Sequence, residues 1–210
     1  MHNQKAKKNQ IEISVIGCGI AGITTAFHLR KKGYKVNLID PKVNLEINNL
    51  NPKNGTQAAL GVLMGNIYKR SKGRAFLLRN KSMKLWKEWL LEINESNSNI
   101  QLEKPLIKLA NSEKEYQSML EIVKNKKEYA IEILDQTSIK FWNSIFEKKL
   151  IGGIISHEDG RLDPSQLIKS FMKSLEKLKV NKIEDNVIKI ERNVNSLHKN
   201  WKISLEHNNC

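Results

Sequence analysis

The sequence predicts an α/β fold built on a parallel sheet with a dinucleotide-binding turn, and three observations predict it. A short apolar run, Ile11 to Ile16, ends in Gly17-x-Gly19-x-x-Gly22. An amphipathic helix follows, with Ile23, Ala26 and Leu29 on one face, and closes at Gly33, where a helix C-terminus favours positive φ. A second apolar run, Val36 to Ile39, ends in Asp40. Strand, turn, helix, strand and acid fit within ~30 residues, with the acid about 20 residues beyond the glycines, as in a dinucleotide-binding βαβ unit.

Each position has a physical task in that unit. Gly17 makes the tight turn out of the strand. Gly19 lets the backbone approach a pyrophosphate, and Gly22 lets the helix pack close to the strand. The N–H groups at the helix start, Ile20 and Ala21, are expected to face the phosphates. Asp40 is expected to accept hydrogen bonds from the adenosine ribose. A Walker-type phosphate loop is excluded, because no Lys-Ser/Thr pair follows Gly22. The turn by itself serves FAD and NAD alike.

Composition sets the outer limits. A chain of 210 residues suffices for one good core and one excursion from it. Apolar residues at 40% and charged residues at 28% are ordinary for a globular protein, whereas a formal charge of +14 is not. A nucleic-acid or membrane-surface partner therefore has to be weighed. The lysines are spread along the chain and no basic block is interleaved with aromatics, so the charge reads as a solvated surface with no nucleic-acid partner. Cys18 and Cys210 have no neighbour for a metal or redox pair, which fits a reducing cytoplasm. Lys5, Lys7 and Lys8 ahead of an apolar run imitate a secretory leader, but Glu12 interrupts the run and no small-residue cleavage site follows. The run is also too broken and short for a membrane span, so no stable membrane insertion is expected.

Residues Met1 to Gln10 read as a disordered lead-in, and 41–54 as an Asn-rich loop. Gly55-Thr-Gln-Ala-Ala-Leu-Gly-Val-Leu-Met-Gly65 is rich in small residues, which suits a backbone lying against a flat ligand or against another element. Thr56 is expected to cap a short helix there and to bond a ligand oxygen. Ser71 to Ile93 reads as a helix with Trp86 and Trp89 on its apolar side. Leu106 to Leu109 reads as a strand, placed at a sheet edge by Pro105. Ser112-x-x-Glu115 is a capping box opening a helix to about Lys127. A short strand at Ile131 to Leu134 precedes a helical turn through Trp142 to Phe146, and Gly152 to Ser156 is a further strand. Asp163-Pro164-Ser165 opens a helix whose apolar face is Leu167, Ile168, Phe171, Leu175 and Leu178. Val187 to Ile190 and Leu197 to Leu205 read as antiparallel strands. The expected organisation is a lead-in at 1–10, a dinucleotide-binding domain in two parts at 11–73 and 151–210, and an inserted α+β segment at 74–150.

No residue stands out as a catalytic acid or base. His157, Glu158, Asp159 and Asp163 cluster in sequence, but without metal-ligand spacing, and no metal is expected. No nucleophile elbow accompanies any Ser/His/Asp set.

Four stretches together resemble the N-terminal half of the FAD-dependent D-amino-acid oxidase superfamily, close to glycine oxidases. They are the glycine unit ending in Asp40, with its longer pattern Gly22-x₃-Ala26-x₂-Leu29-x₃-Gly33-x₂-Val36; Gly55-Thr-Gln-Ala-Ala-Leu-Gly-Val-Leu; Gly160-Arg-Leu-Asp-Pro-Ser-Gln-Leu; and Asp185-Asn-Val-Ile-Lys-Ile. The resemblance implies a Rossmann-like, three-layer FAD-binding domain with FAD as cofactor. It implies Gly17, Gly19, Ile20, Ala21 and Gly22 at the pyrophosphate, Asp40 and Pro41 at the ribose, and Val187 at the adenine. Gly55, Thr56, Leu60, Gly61 and Val62 would lie along the phosphates, ribityl chain and flavin ring. Gln57 and Leu60 depart from the small residues usual in that element. The implied reaction is hydride transfer from an amine carbon of a small amine or amino acid to flavin, followed by reoxidation with O₂. The family's later strand ending in Ala-Thr/Ser-Gly, its Arg-Pro element and its Gly-His-x-x-Asn-Gly motif do not follow Leu205. The expectation is a truncated or split member needing a complementing C-terminal half. The alternatives are a non-catalytic dinucleotide-binding remnant or an NAD-binding module.

Overall fold

The apolar runs either side of the glycine turn become neighbouring parallel strands. In the computed structural model, which describes residues 11–44, 55–96, 98–146, 149–192 and 201–207, strand β1 is Glu12–Ile16 and β2 is Lys35–Ile39. They pair in parallel with Ile13 opposite Val36 and Ile16 opposite Ile39. The expected lead-in at 1–10 and most of the expected 41–54 loop lie outside the described residues. The chain divides into two compact units, 1–59, 95–98 and 164–210 on the one hand, 60–94 and 99–163 on the other. The sequence reading set the crossings at 73/74 and 150/151.

The first unit holds a three-stranded parallel sheet in the order β1-β2-β8, where β8 is Asn181–Ile183. As the central strand, β2 has Val36, Asn37, Leu38 and Ile39 all buried, which its near-continuous apolar run requires. The one polar member, Asn37, is satisfied on both sides: its Nδ2 donates to Glu12 at 2.6 Å and its Oδ1 accepts from Asn181 at 3.0 Å.

Helix α1, Ile20–Lys31, buries Ile23, Ala26 and Phe27. Phe27 takes the core position expected of Leu29, which is half-buried. The helix stops in a Schellman arrangement, with Gly33 at φ 90°, its N–H on the Arg30 carbonyl and the Tyr34 N–H on the Leu29 carbonyl. The long helix of this unit, Pro164–Lys177 (numbered α5 below, after three helices of the second unit), buries Leu167, Ile168, Phe171 and Leu175. The two helices meet through Phe27 and Phe171, whose rings lie edge to face at 5.3 Å. Strands β9, Val187–Arg192, and β10, Trp201–Leu205, form the expected antiparallel pair, with Ile190 opposite Ile203.

The second unit is α+β. Strand β6, Gly152–Ser156, lies between β4, Leu106–Ala110, and β5, Ile131–Leu134, and is antiparallel to both. The edge position of β4 is the one Pro105 predicts. Behind the sheet, Ile67, Ala110, Met119, Ile122, Ile131 and Ile154 form one buried cluster. Helices α2, Arg74–Asn94, α3, Glu113–Asn125, and α4, Lys140–Ile145, complete the unit. The capping box is present at α3: Ser112 Oγ accepts the Glu115 N–H, and the Glu115 carboxylate reaches back to the Asn111 N–H. A short antiparallel pair joins β3, Val62–Leu63, to β7, Gly160–Arg161. Among the described residues no helix is long and apolar enough to cross a membrane.

Candidate dinucleotide site

The glycine turn has the geometry of an anion cradle. Gly17 adopts φ 98°, which only glycine enters freely, and its N–H donates to the Ile39 carbonyl at 2.8 Å. The start of α1 is thereby tied to the end of β2. At Gly22 a Cβ would lie 1.8 Å from the Gly17 carbonyl oxygen, so no larger residue fits between helix and turn. At Gly19 the nearest atom to a Cβ would be Thr56 Oγ1, at an ordinary 3.4 Å. Gly19 is also the N-cap of α1 and supplies no capping side chain. The N–H groups of Ala21 and Gly22 have no protein acceptor among the described residues. Orphan donors at a helix N-terminus, with the positive end of its dipole, attract anions.

Two contacts go beyond the motif. Residues 55–58 form a turn, so the short helix expected after Thr56 is absent. Thr56 caps α1 instead, its Oγ1 accepting the Ile20 N–H at 3.0 Å. That N–H was expected to face phosphate. Asp40 is also engaged: Oδ2 accepts the Cys18 N–H at 2.9 Å and Oδ1 the Lys42 N–H at 2.7 Å. Each carboxylate oxygen keeps a further lone pair for a hydroxyl donor. The Cys18 thiol beside it is pushed up to about 12 by burial, then by the Asp40 charge and hydrogen bond. It is thus held as an inert thiol.

Other site residues fall as follows. Pro41 is exposed, following Asp40 at the end of β2, and Gly55 is exposed beside Thr56. Val187 opens β9 and is half-buried. Just before it, the buried Asp185 carboxylate accepts the N–H groups of Asn186 and His207, with His207 Nδ1 at 3.1 Å. Leu60, Gly61 and Val62 belong to the second unit. There Gly61 sits at φ 71°, its carbonyl accepts the Leu162 N–H at 3.0 Å, and the Leu60 carbonyl accepts from Arg161 Nε at 3.0 Å.

The acid/His cluster of the sequence disperses on folding. His157 pairs with Glu132 at 3.1 Å, and Glu158 with Lys87 and Lys104. The buried Asp159 carboxylate accepts the N–H groups of Gly65, Asn66 and Ile67, pinning that loop. Lys126 holds the same loop by its carbonyls: the buried ammonium donates to Asn66 at 2.7 Å and to Tyr68 at 2.6 Å. No sequence signal marks Lys126, because contacts this distant along the chain have no local pattern.

Parallel strands, a glycine turn with orphan helix N–H groups and an acid at the end of β2 define a dinucleotide-binding α/β protein. The cradle at Gly19, the two orphan donors and the spare lone pairs of Asp40 fit an adenine dinucleotide such as FAD. The family model for FAD dependent oxidoreductases, DAO, matches residues 12–208, and the chain belongs to that family, whose cofactor is FAD. The structure is similar to glycine oxidase from Bacillus cereus ATCC 14579, with a TM-score of 0.70, 19% identity, and coverage of 93% of this chain and 50% of that one. Glycine oxidase from Geobacillus kaustophilus gives a TM-score of 0.74 at 18% identity, covering 91% and 50% respectively. L-alpha-glycerophosphate oxidase from Mycoplasma pneumoniae, with FAD bound, gives 0.71 at 15% identity, covering 94% and 50%. At these identities the likeness is one of fold. The chain spans about half the length of the solved structures it matches. No curated protein matches the sequence.

Proposed function

We propose that this chain is the FAD-binding part of an oxidoreductase that acts on the amine carbon of glycine or another amino acid. The observation that carries the reading is the cradle itself: Gly17 in its left-handed turn, Gly22 against it, and the Ala21 and Gly22 N–H groups without a protein acceptor among the described residues. In this reading Gly17, Gly19, Ala21 and Gly22 hold the pyrophosphate, Asp40 and Pro41 the ribose, Val187 the adenine, and Gly55 with Thr56 the adjoining chain. Thr56 acts from behind, by fixing the first turn of α1 through Ile20. The roles of Leu60, Gly61 and Val62 along the flavin ring rest on the family resemblance alone.

The chemistry that bound FAD would supply is acceptance of a hydride from the amine carbon and return of the electron pair to O₂. The chain's own contribution is to bind and orient. No described residue is assigned as a catalytic acid or base, and substrate anchoring is assigned to a complementing C-terminal half. The second reading is a dinucleotide-binding chain without turnover.

The test is the visible spectrum of the purified protein with and without added FAD. The proposal expects a bound-flavin spectrum that Gly19→Val abolishes while the circular dichroism stays unchanged, since a Cβ at Gly19 meets no backbone and only Thr56 Oγ1, at 3.4 Å. A folded protein that takes up no flavin would overturn it. Peroxide formation from glycine or D-amino acids, with and without a supplied C-terminal half, separates an oxidase from the non-catalytic reading.

A further inference from the structure

The second unit contains a cavity that the dinucleotide reading does not use. It has a volume of about 410 Å³, within the range of small-ligand pockets. One face of α2 builds most of it, through Met83, Trp86, Lys87 and Leu90, at the i, i+3, i+4, i+7 spacing that puts side chains on one stripe. Leu63 and Leu102 close the apolar wall. The Trp86 ring is held edge-on by Trp89 at 5.8 Å, so that part of the wall is set before any ligand arrives.

Three charged side chains line the same cavity, and their balance is uneven. Lys87 and Lys104 both converge on Glu158, Lys104 at 3.4 Å and Lys87 in a direct hydrogen bond. The Lys87 hydrogen bond holds Glu158 below the usual carboxylate value, against the opposing effect of burial and with a smaller contribution from Lys104. Two ammonium groups against one carboxylate leave a single net positive charge beside an apolar wall. Each ammonium has three N–H donors and gives one to Glu158, so donors remain for a second anion. That charge attracts an anion to the rim of the cavity and repels a cation.

We propose that the cavity walled by Met83, Trp86, Leu90 and Leu102, with Lys87 and Lys104 beside it, binds an amphipathic monocarboxylate, its apolar chain inside and its carboxylate on the two lysines. The site lies wholly within the second unit and does not depend on the FAD reading.

The test is calorimetric titration of the whole protein with decanoate below its micelle concentration, compared with decanol and decylamine. The expected result is saturable 1:1 binding of decanoate, weaker by about tenfold in the double variant Lys87→Gln/Lys104→Gln. Decanol should bind about tenfold more weakly than decanoate, and decylamine should not bind. Leu102→Trp should abolish binding with the circular dichroism unchanged; if it does not fold, Met83→Trp fills the cavity from the helix side. Absence of saturable decanoate binding to the folded wild-type protein overturns the site. Equal affinity for decanoate and decanol, or no loss in the lysine double variant, overturns the carboxylate assignment.

Discussion

At the scale of single residues, backbone geometry decides which positions tolerate change. Gly22 and Gly19 stand three residues apart in one turn, yet they differ in kind. An added methyl at Gly22 strikes a backbone oxygen that cannot move away, whereas at Gly19 it meets only a hydroxyl at van der Waals distance. Gly22→Ala should therefore cost about 3 kcal/mol of stability, the upper end for overpacking, visible as an earlier urea midpoint, and Gly19→Ala much less. Lys179 presents the opposite case. It lies two residues past α5 at φ 57°, a conformation that favours glycine, with its N–H on the Glu176 carbonyl and the Val180 N–H on the Leu175 carbonyl. Lys179→Gly should raise stability by about 0.5–1 kcal/mol in the same measurement, because the strain removed exceeds the extra chain entropy. Gly17, Gly22 and Asp40 were legible in the sequence because their spacing is local. The Thr56 bond to Ile20 was not, since it spans the chain from a loop to a helix start.

At the scale of elements, periodicity and punctuation located most helices and strands. Pro105 marked an edge strand because it has no N–H for a ladder, and the β4-β6-β5 order bears that out. Besides the short strands β3 and β7, the element that escaped was β8. Asn-Lys-Ile has no apolar run, and the helix before it closes on a lysine instead of a glycine. Its pairing with β2 is supplied by neighbours, including the Asn181 hydrogen bond to Asn37. The joint between α1 and α5 includes a ring pair, Phe27 on Phe171, with Phe171 fully buried. Phe171→Ala should lower unfolding stability by about 3–5 kcal/mol in urea denaturation, through lost burial and the cavity left behind.

At the scale of the whole molecule, charge and pH enter. Of 36 lysines and arginines, Lys126 is a cation with only 1% of its surface exposed. Burial holds its pKa below the usual lysine value of 10.5, against the partly opposing pull of Asp159. The native state therefore releases this proton at lower pH than the unfolded chain does. Stability should rise as pH climbs from the folded value towards 10.5, and that gain is absent at neutral pH. Denaturation at pH 7 and pH 10 should show the rise in the wild-type protein. Falling repulsion among the other lysines adds to it, so the diagnostic result is a smaller rise in Lys126→Met. By itself, the sequence determined the α/β class, the dinucleotide turn and the family, because those reside in short spacings of glycines, apolar runs and one acid. Tertiary structure alone decided that Thr56 caps α1, that Asp159 and Lys126 pin one loop from two sides, and that Lys87 and Lys104 meet at one carboxylate. Those contacts join residues tens of positions apart, and only the folded chain brings their side chains within hydrogen-bonding reach.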